Sequence, residues 1–316
     1  MQGAKEFLKE IEQQLFFQKN LGLIESVFFT LRFAKDRPLD YEHKQIAIEL
    51  MPKDSRLCKD VQYANSINTN VQNIVHAMTD LYGQEMQEDG LDPESLTNCG
   101  KGQKGHWKKI YNWLWNYKFT RWLEQNAWSI LQKQANLQKQ ANNAQNWIQF
   151  LTEEDKHKRL IGEQRVRRPS PPASVQKQPR NIPVNQPLYL ELNLEYPDHQ
   201  LLLFNSNDEE KLIFCPSLAF APNSILEKWP ISLPQPGSWA EDNEDNEKIF
   251  FEKVRHEEFM AILLSKPVNL DWLVPREDDF LPELTAERIQ ELFDALEKQG
   301  TYKVFYQGFE VVEAEE

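Results

Sequence analysis

The sequence predicts an α+β multidomain protein: an all-α N-terminal helical domain followed by a β-rich, sandwich-like C-terminal domain with one late helix. Three observations carry that expectation. Apolar residues recur at helical spacing through residues 4–151. Beyond residue 187 the spacing changes to two, in short apolar runs separated by turn residues. Between the two, residues 155–187 are basic, rich in proline and poor in large apolar side chains, the composition of a linker. The expected domains are therefore 1–154 (helical, with a long Trp-rich helix), 155–187 (linker) and 188–316 (acidic and β-rich). A length of 316 residues suits two cores better than one.

The helical elements follow from the spacing. Phe7, Leu8, Ile11, Leu15 and Phe16 line one face of a helix over 4–17. Leu23, Ile24, Val27, Phe28, Leu31 and Phe33 form a second face after Gly22. The stretch 42–51 reads as a short helix stopped by Pro52, and Val71, Ile74, Val75, Met78 and Leu81 mark another over 68–82. Residues 83–105 hold six scattered glycines and prolines and read as a loop. The stretch HWKKIYNWLWNYKFTRWLEQNAW follows, and helix-favouring residues continue to about Leu151. The hexapeptide LQKQAN occurs there twice in tandem, at 131–136 and 137–142. Leu137, Ala141, Ala144, Ile148 and Leu151 would give that helix a seam for a second helix.

In the C-terminal part, Leu188, Leu190, Leu192 and Leu194 alternate with polar residues, the pattern of a half-buried strand. QLLLFN and KLIFCP flank a polar tip, SNDEE, and predict a β-hairpin. PISLPQPG suits a sheet edge or a loop more than a central strand because proline donates no ladder hydrogen bond. IFFEKV and EFMAILLS are two further strand candidates. Thr285 is placed to cap a helix that Gly300 stops, and TYKVFYQ and FEVVE supply two closing strands.

Charge divides the chain more sharply than composition does. The net charge is −13, yet residues 155–187 carry 8 Lys and Arg against 2 Asp and Glu, while residues 188–316 carry 10 against 28. An acidic surface repels phosphates and anionic lipid, which excludes the C-terminal half as a nucleic-acid reader. Charges interleave from Lys5 onward, unlike a secretory signal, and no apolar run is long enough for a membrane helix. Three widely spaced cysteines, Cys58, Cys99 and Cys215, suit a reducing compartment. A cytoplasmic protein with no membrane association is expected.

Motifs for chemistry are sparse. Gly100 to Gly105 have the spacing of a phosphate loop, but His106 and Trp107 stand where Lys and Ser/Thr would reach phosphate and magnesium. No CxxC or HxxxH occurs, and His256-Glu257-Glu258 lacks the second histidine of a zinc site, leaving a surface histidine. Cys215 sits in an apolar run and reads as inert, whereas Cys99 lies near lysines that could lower a thiol pKa. The acidic runs, Glu277-Asp278-Asp279 among them, read as solvated surface, with a weak cation site the alternative. No catalytic residue, metal and cofactor is expected.

The candidate interaction surface is the Trp-rich stretch: Trp107, Lys108, Lys109, Trp113, Trp115, Lys118, Arg121 and Trp122. Aromatic rings stack bases and cations neutralise phosphates, so this pattern could hold nucleic acid. It could also dock a protein; the reading preferred over both is that the rings face a helical core with the lysine stems along its rim.

The order LLLFNSNDEEKLIFCPS, ISLPQPG, EEFMAILLSKPVNLDWL resembles a bacterial module, domain-of-unknown-function 4384. That module is common in cyanobacteria beside caspase-like peptidases and kinases. The residues carrying the resemblance are Cys215-Pro216, Pro234 to Gly237 and Glu258 to Pro267. It implies a small β-sandwich and an accessory part in signalling or defence assemblies, and it brings no catalytic residue. Residues 1–154 resemble no family. The expected function is accordingly a non-enzymatic interaction or adaptor protein docking a protein partner, such as a protease or kinase effector. The alternative is a nucleic-acid-associated regulator using the helical domain and basic linker.

Overall fold

The structure, a computed structural model, describes residues 2–19, 23–37, 39–40, 42–43, 45–46, 61–97, 106–142, 147–157, 181–241 and 248–313. The chain combines a helical N-terminal region with a strand-rich C-terminal region and divides into two compact units, Met1–Asn126 and Ala127–Glu316. The basic segment 155–187 lies largely outside the described residues.

The first unit is built on α1 (Gln2–Lys19), α2 (Leu23–Arg32), α3 (Val61–Glu88), α4 (Glu94–Thr97) and α5 (His106–Trp113). In α1 the expected stripe is buried at Phe7, Leu8, Ile11 and Leu15, while Phe16 is exposed. Helix α3 runs through Gly83, where a loop was expected. Its apolar face continues past Met78 to Tyr82 and Met86, so the helix extends six residues further. Gly90, at φ 81°, ends it, with Leu91 N donating to Met86 O at 2.7 Å. Of the short helix expected over 42–51, only its first residues are described, and Asn98 to Gly105 lie outside the described residues.

A π-helical turn, Leu114–Lys118, joins α5 to α6 (Phe119–Asn142), making one continuous helix. The extra residue of that turn explains an awkward sequence. Ile110 and Leu114 are completely buried one α-turn apart, but the next completely buried residue is Phe119, five positions on. An uninterrupted α-helix would carry Lys118 to the core instead; the π-turn inserts one residue and returns Phe119, Trp122 and Leu123 to it.

The helix ends at Asn142, and residues expected to extend it form a strand. This β1 (Ile148–Leu151) pairs antiparallel with β3 (Tyr189–Leu192), Ile148 opposite Leu192. The β-branched Ile148 and the aromatic Phe150 gain more from the open flank of β3 than from a helical seam. β7 (Ile231–Leu233) completes a three-stranded sheet in the order β1-β3-β7, at the edge that its flanking prolines allow.

The larger sheet runs β2-β9-β8-β4-β5, with β2 Asn181–Pro183, β9 Lys303–Val312, β8 His256–Leu264, β4 His199–Ser206 and β5 Lys211–Cys215; β6 (Ile225–Leu226) also pairs with β4. β4 and β5 form the expected hairpin. Leu201, Leu203, Phe259, Ala261, Leu263, Phe305 and Phe309 point to one core shared with Ile148, Leu190, Leu192 and Leu233 of the smaller sheet. Met260, Ile262 and Leu264 on the opposite face of β8 are also fully buried, so this strand is an apolar run rather than an alternation.

Two strand expectations are corrected. IFFEKV forms no strand. Ile249 and Leu188 exchange a single pair of hydrogen bonds at 2.7 and 2.8 Å, and this buries Ile249 and Phe251 without a ladder. TYKVFYQ and FEVVE are one strand, β9, not two. Gly308 at the junction stays extended and leaves room for the His256 ring; a Cβ there would lie 2.9 Å from His256 Cε1. The unit closes with α7 (Ala286–Gln299), capped by Thr285 and stopped at Gly300, φ 80°, as the sequence predicts.

Candidate functional site

A cavity of about 680 Å³ lies in the second unit, between the 3-10 turn Asp271–Leu273 and the first turns of α7. Its frame is set by backbone pairing. Ile213 N donates to Pro282 O and Leu284 N to Lys211 O, both at 2.8 Å, so residues 282–284 cover the open edge of β5. Ala219 N donates to Phe280 O at 3.0 Å, fixing the chain just before. The Thr285 cap then aims the first turn of α7, which carries Arg288 and Glu291, back along the turn.

The side chains hold one another in place. Trp272 is half-buried, and its indole Nε1 donates to Glu291 Oε2 at 3.0 Å. Arg288 donates to Asp279 Oδ2 at 2.7 Å and to Glu283 O at 2.6 Å, with its guanidinium carbon 6.0 Å from the Trp272 ring. Arg276 reaches Asp271 O at 3.2 Å. Four carboxylates, of Asp271, Asp278, Asp279 and Glu291, thus line the cavity against two guanidinium groups that are already engaged. Val274 adds an apolar patch, 60% exposed, and the exposed rings of Trp239 and Phe280 meet edge to face at 6.2 Å next in sequence. The arrangement offers an aromatic wall, an apolar shoulder and a negative rim.

The residues expected to form an interaction surface lie elsewhere, and the structure sorts them into three groups. Trp107, Trp113, Trp115 and Trp122 are buried in the first unit. Phe7 lies 5.6 Å from the Trp115 ring and 5.4 Å from that of Trp122. Their indole nitrogens are engaged inward: Trp113 with Asp89 at 2.7 Å, Trp115 with Phe33 O at 3.0 Å, Trp122 with Glu10 at 2.6 Å. Lys118 and Arg121 pair with Glu85 and Asp89. Hydrogen bonds from Arg121 and Trp113 hold the Asp89 carboxyl below its ordinary pKa, against the cost of burial. Lys108 and Lys109 are exposed, as is Arg121. The burial has a physical reason: the indoles pack against Phe7, Phe33, Tyr82 and Phe119 and so leave water, as the core reading expects.

Beside them, Arg32 is fully buried with its guanidinium 3.8 Å from the Trp107 ring centre. Burial, helped by Arg32 and Lys108, lowers the His43 pKa to about 4, so the imidazole is neutral at physiological pH.

Other sequence candidates are quickly placed. Cys58, Cys99 and the glycine loop lie outside the described residues. Cys215 is fully buried, and burial alone pushes its thiol far above the reactive range. His256 is exposed, 2.8 Å from Glu310 and 3.7 Å from Glu258. Among the described residues no three His, Cys, Asp or Glu side chains are grouped to hold a metal ion, and no helix is long and apolar enough to cross a membrane.

Sequence reasoning singled out Glu277-Asp278-Asp279 as solvated acid or a weak cation site. It missed Trp272, whose available signal was a lone tryptophan in a charged turn, LDWLVPREDDF. No family model, curated protein or solved structure matches the chain.

Proposed function

We propose that the chain is a non-enzymatic interaction protein, an adaptor whose second unit holds a peptide of a protein partner in the groove beside Trp272. The observation that carries the reading is that groove: about 680 Å³ of open concave space with one aromatic wall, set on a turn pinned to a sheet edge. A preformed, side-chain-locked surface of this kind binds with little ordering cost. The likeness of residues 201–273 to domain-of-unknown-function 4384 supports the same role. By that likeness the partner is a protease or kinase effector in bacterial signalling or defence, and the chain acts in the cytoplasm.

A nucleic-acid regulator is less well supported, because the rings that would stack bases are in a core. The test places a photo-crosslinking amino acid at position 274 in the full chain within native cells. A discrete partner is expected, identified by mass spectrometry and then purified. Its affinity for the chain should fall about tenfold or more on Trp272→Ala, the scale of an interface anchor. Undiminished binding of that purified partner by Trp272→Ala would sink the reading.

A further inference from the structure

The groove has a charge imbalance that names its ligand. Four carboxylates line it against two guanidinium groups: Arg288 is paired with Asp279 and also donates to Glu283 O, and the exposed Arg276 donates to Asp271 O. On the acidic side, Asp279 is taken by Arg288 and Glu291 by Trp272. The carboxylates of Asp271 and Asp278 both line the cavity, are exposed, and accept no hydrogen bond from any described residue. Two carboxylates without a hydrogen-bond donor among the described residues therefore line the same cavity as an indole whose nitrogen is already committed.

We propose that the groove accepts an arginine side chain of a partner peptide, its guanidinium shared by Asp271 and Asp278 and lying against Trp272. The inference rests on the adaptor reading and specifies its partner. Guanidinium fits better than ammonium for a physical reason: it is planar, weakly hydrated, presents donors to two carboxylates at once, and stacks on aromatic faces. The apolar shoulder at Val274 would take the aliphatic stem. An acidic peptide is disfavoured by the same rim, and the acidic surroundings of residues 188–316 steer a basic partner toward it.

The test uses the full chain and a fluorescein-labelled peptide, Gly-Pro-Arg-Gly-Pro-Arg-Gly, beside a copy with citrulline in place of both arginines. Citrulline keeps the shape and removes the charge. The arginine peptide should bind about tenfold more tightly or better, and Asp271→Asn with Asp278→Asn should abolish that preference. Because an acidic protein attracts any cation, the control is Asp208→Asn with Glu210→Gln. That pair makes the same charge change at the exposed β4–β5 tip and should alter affinity less than about twofold.

Equal losses in the two double variants, or equal binding of the two peptides, would overturn the proposal. Should the arginine peptide fail while the partner crosslinked at position 274 still depends on Trp272, the arginine ligand falls and the adaptor reading stands. Failure of both removes both.

Discussion

Two tryptophan-bearing regions of this molecule use the residue in opposite ways. Between Trp107 and Trp122 the rings are crowded, buried and hydrogen-bonded inward to Asp89, Phe33 O and Glu10. At Trp272 a single ring stands half-buried in a charged turn, its nitrogen held by a neighbour on α7 and its wall open to a cavity. The dense stretch looked like a binding surface because its lysines and rings alternate. Density itself argues the other way: each indole removes a large apolar area from water, so several close together gather into a core. An isolated aromatic among acids and prolines lacks such partners and stays available to a ligand.

The sharpest way to break the comparison is to truncate one ring of each kind. Trp115→Ala should cost about 3–5 kcal/mol, since it leaves a cavity among Phe7, Phe119 and Tyr111 and strands Phe33 O. Trp272→Ala should cost about 1 kcal/mol or less while removing the binding described above. Urea denaturation of both variants decides it; similar losses would mean that the two regions do not differ as argued.

Next in size is Asp89, which ties the dense region to its cations. Asp89→Asn should destabilise by about 1–3 kcal/mol at neutral pH, because a charged acceptor for Trp113 and Arg121 is lost. The folded pKa of Asp89 lies below its ordinary value of 3.8. Its contribution is therefore complete above that value and is lost as the pH falls through the folded pKa. Stability of the parent and the variant should converge in acid, and unfolding curves at pH 7 and pH 3 measure the convergence.

His43 sharpens the comparison on a third axis. Its folded pKa of about 4 is below the ordinary 6.5, so the unfolded chain binds the proton more readily in between. The stability of the first unit should be level above pH 6.5 and decline as the pH falls toward 4. The decline should amount to about 1–2 kcal/mol once solvent screening of the partly exposed ring is allowed for. His43→Leu should flatten that slope.

Smallest of all, Lys108→Gln with Lys109→Gln should leave stability within about 0.5 kcal/mol, as exposed substitutions usually do. Submicromolar, salt-sensitive nucleic-acid binding by the parent that this pair abolishes would restore the regulator reading.

Edges of the second unit show how folding reuses sequence features whose purpose is not visible locally. The tandem LQKQAN was legible as a duplication, but its role emerges only beside β9. Gln134 accepts from the Tyr302 hydroxyl at 3.0 Å, and Gln138 accepts from Val304 N at 2.7 Å and donates to Tyr302 O at 3.3 Å. A side-chain amide thereby satisfies strand groups that no neighbouring strand reaches.

What the sequence determined by itself is whatever depends on neighbours along the chain. The stripes of α1 and α3 follow from residue spacing, as does the β4–β5 hairpin around SNDEE. The Thr285 and Gly300 boundaries of α7 follow from capping chemistry and from a left-handed φ that glycine adopts without strain. Tertiary structure alone decided matters of partnership. Ile148–Leu151 became a strand because β3 offered an open edge, Gly308 joined two runs into one strand beneath His256, and a π-turn restored the phase of the Trp-rich helix. The groove belongs to the same class: Trp272, Asp271 and Asp278 acquire a shared space only when α7 returns along the turn. Local spacing determines which face of an element is apolar; what covers that face, and what is left uncovered, is settled only by packing between elements distant in sequence.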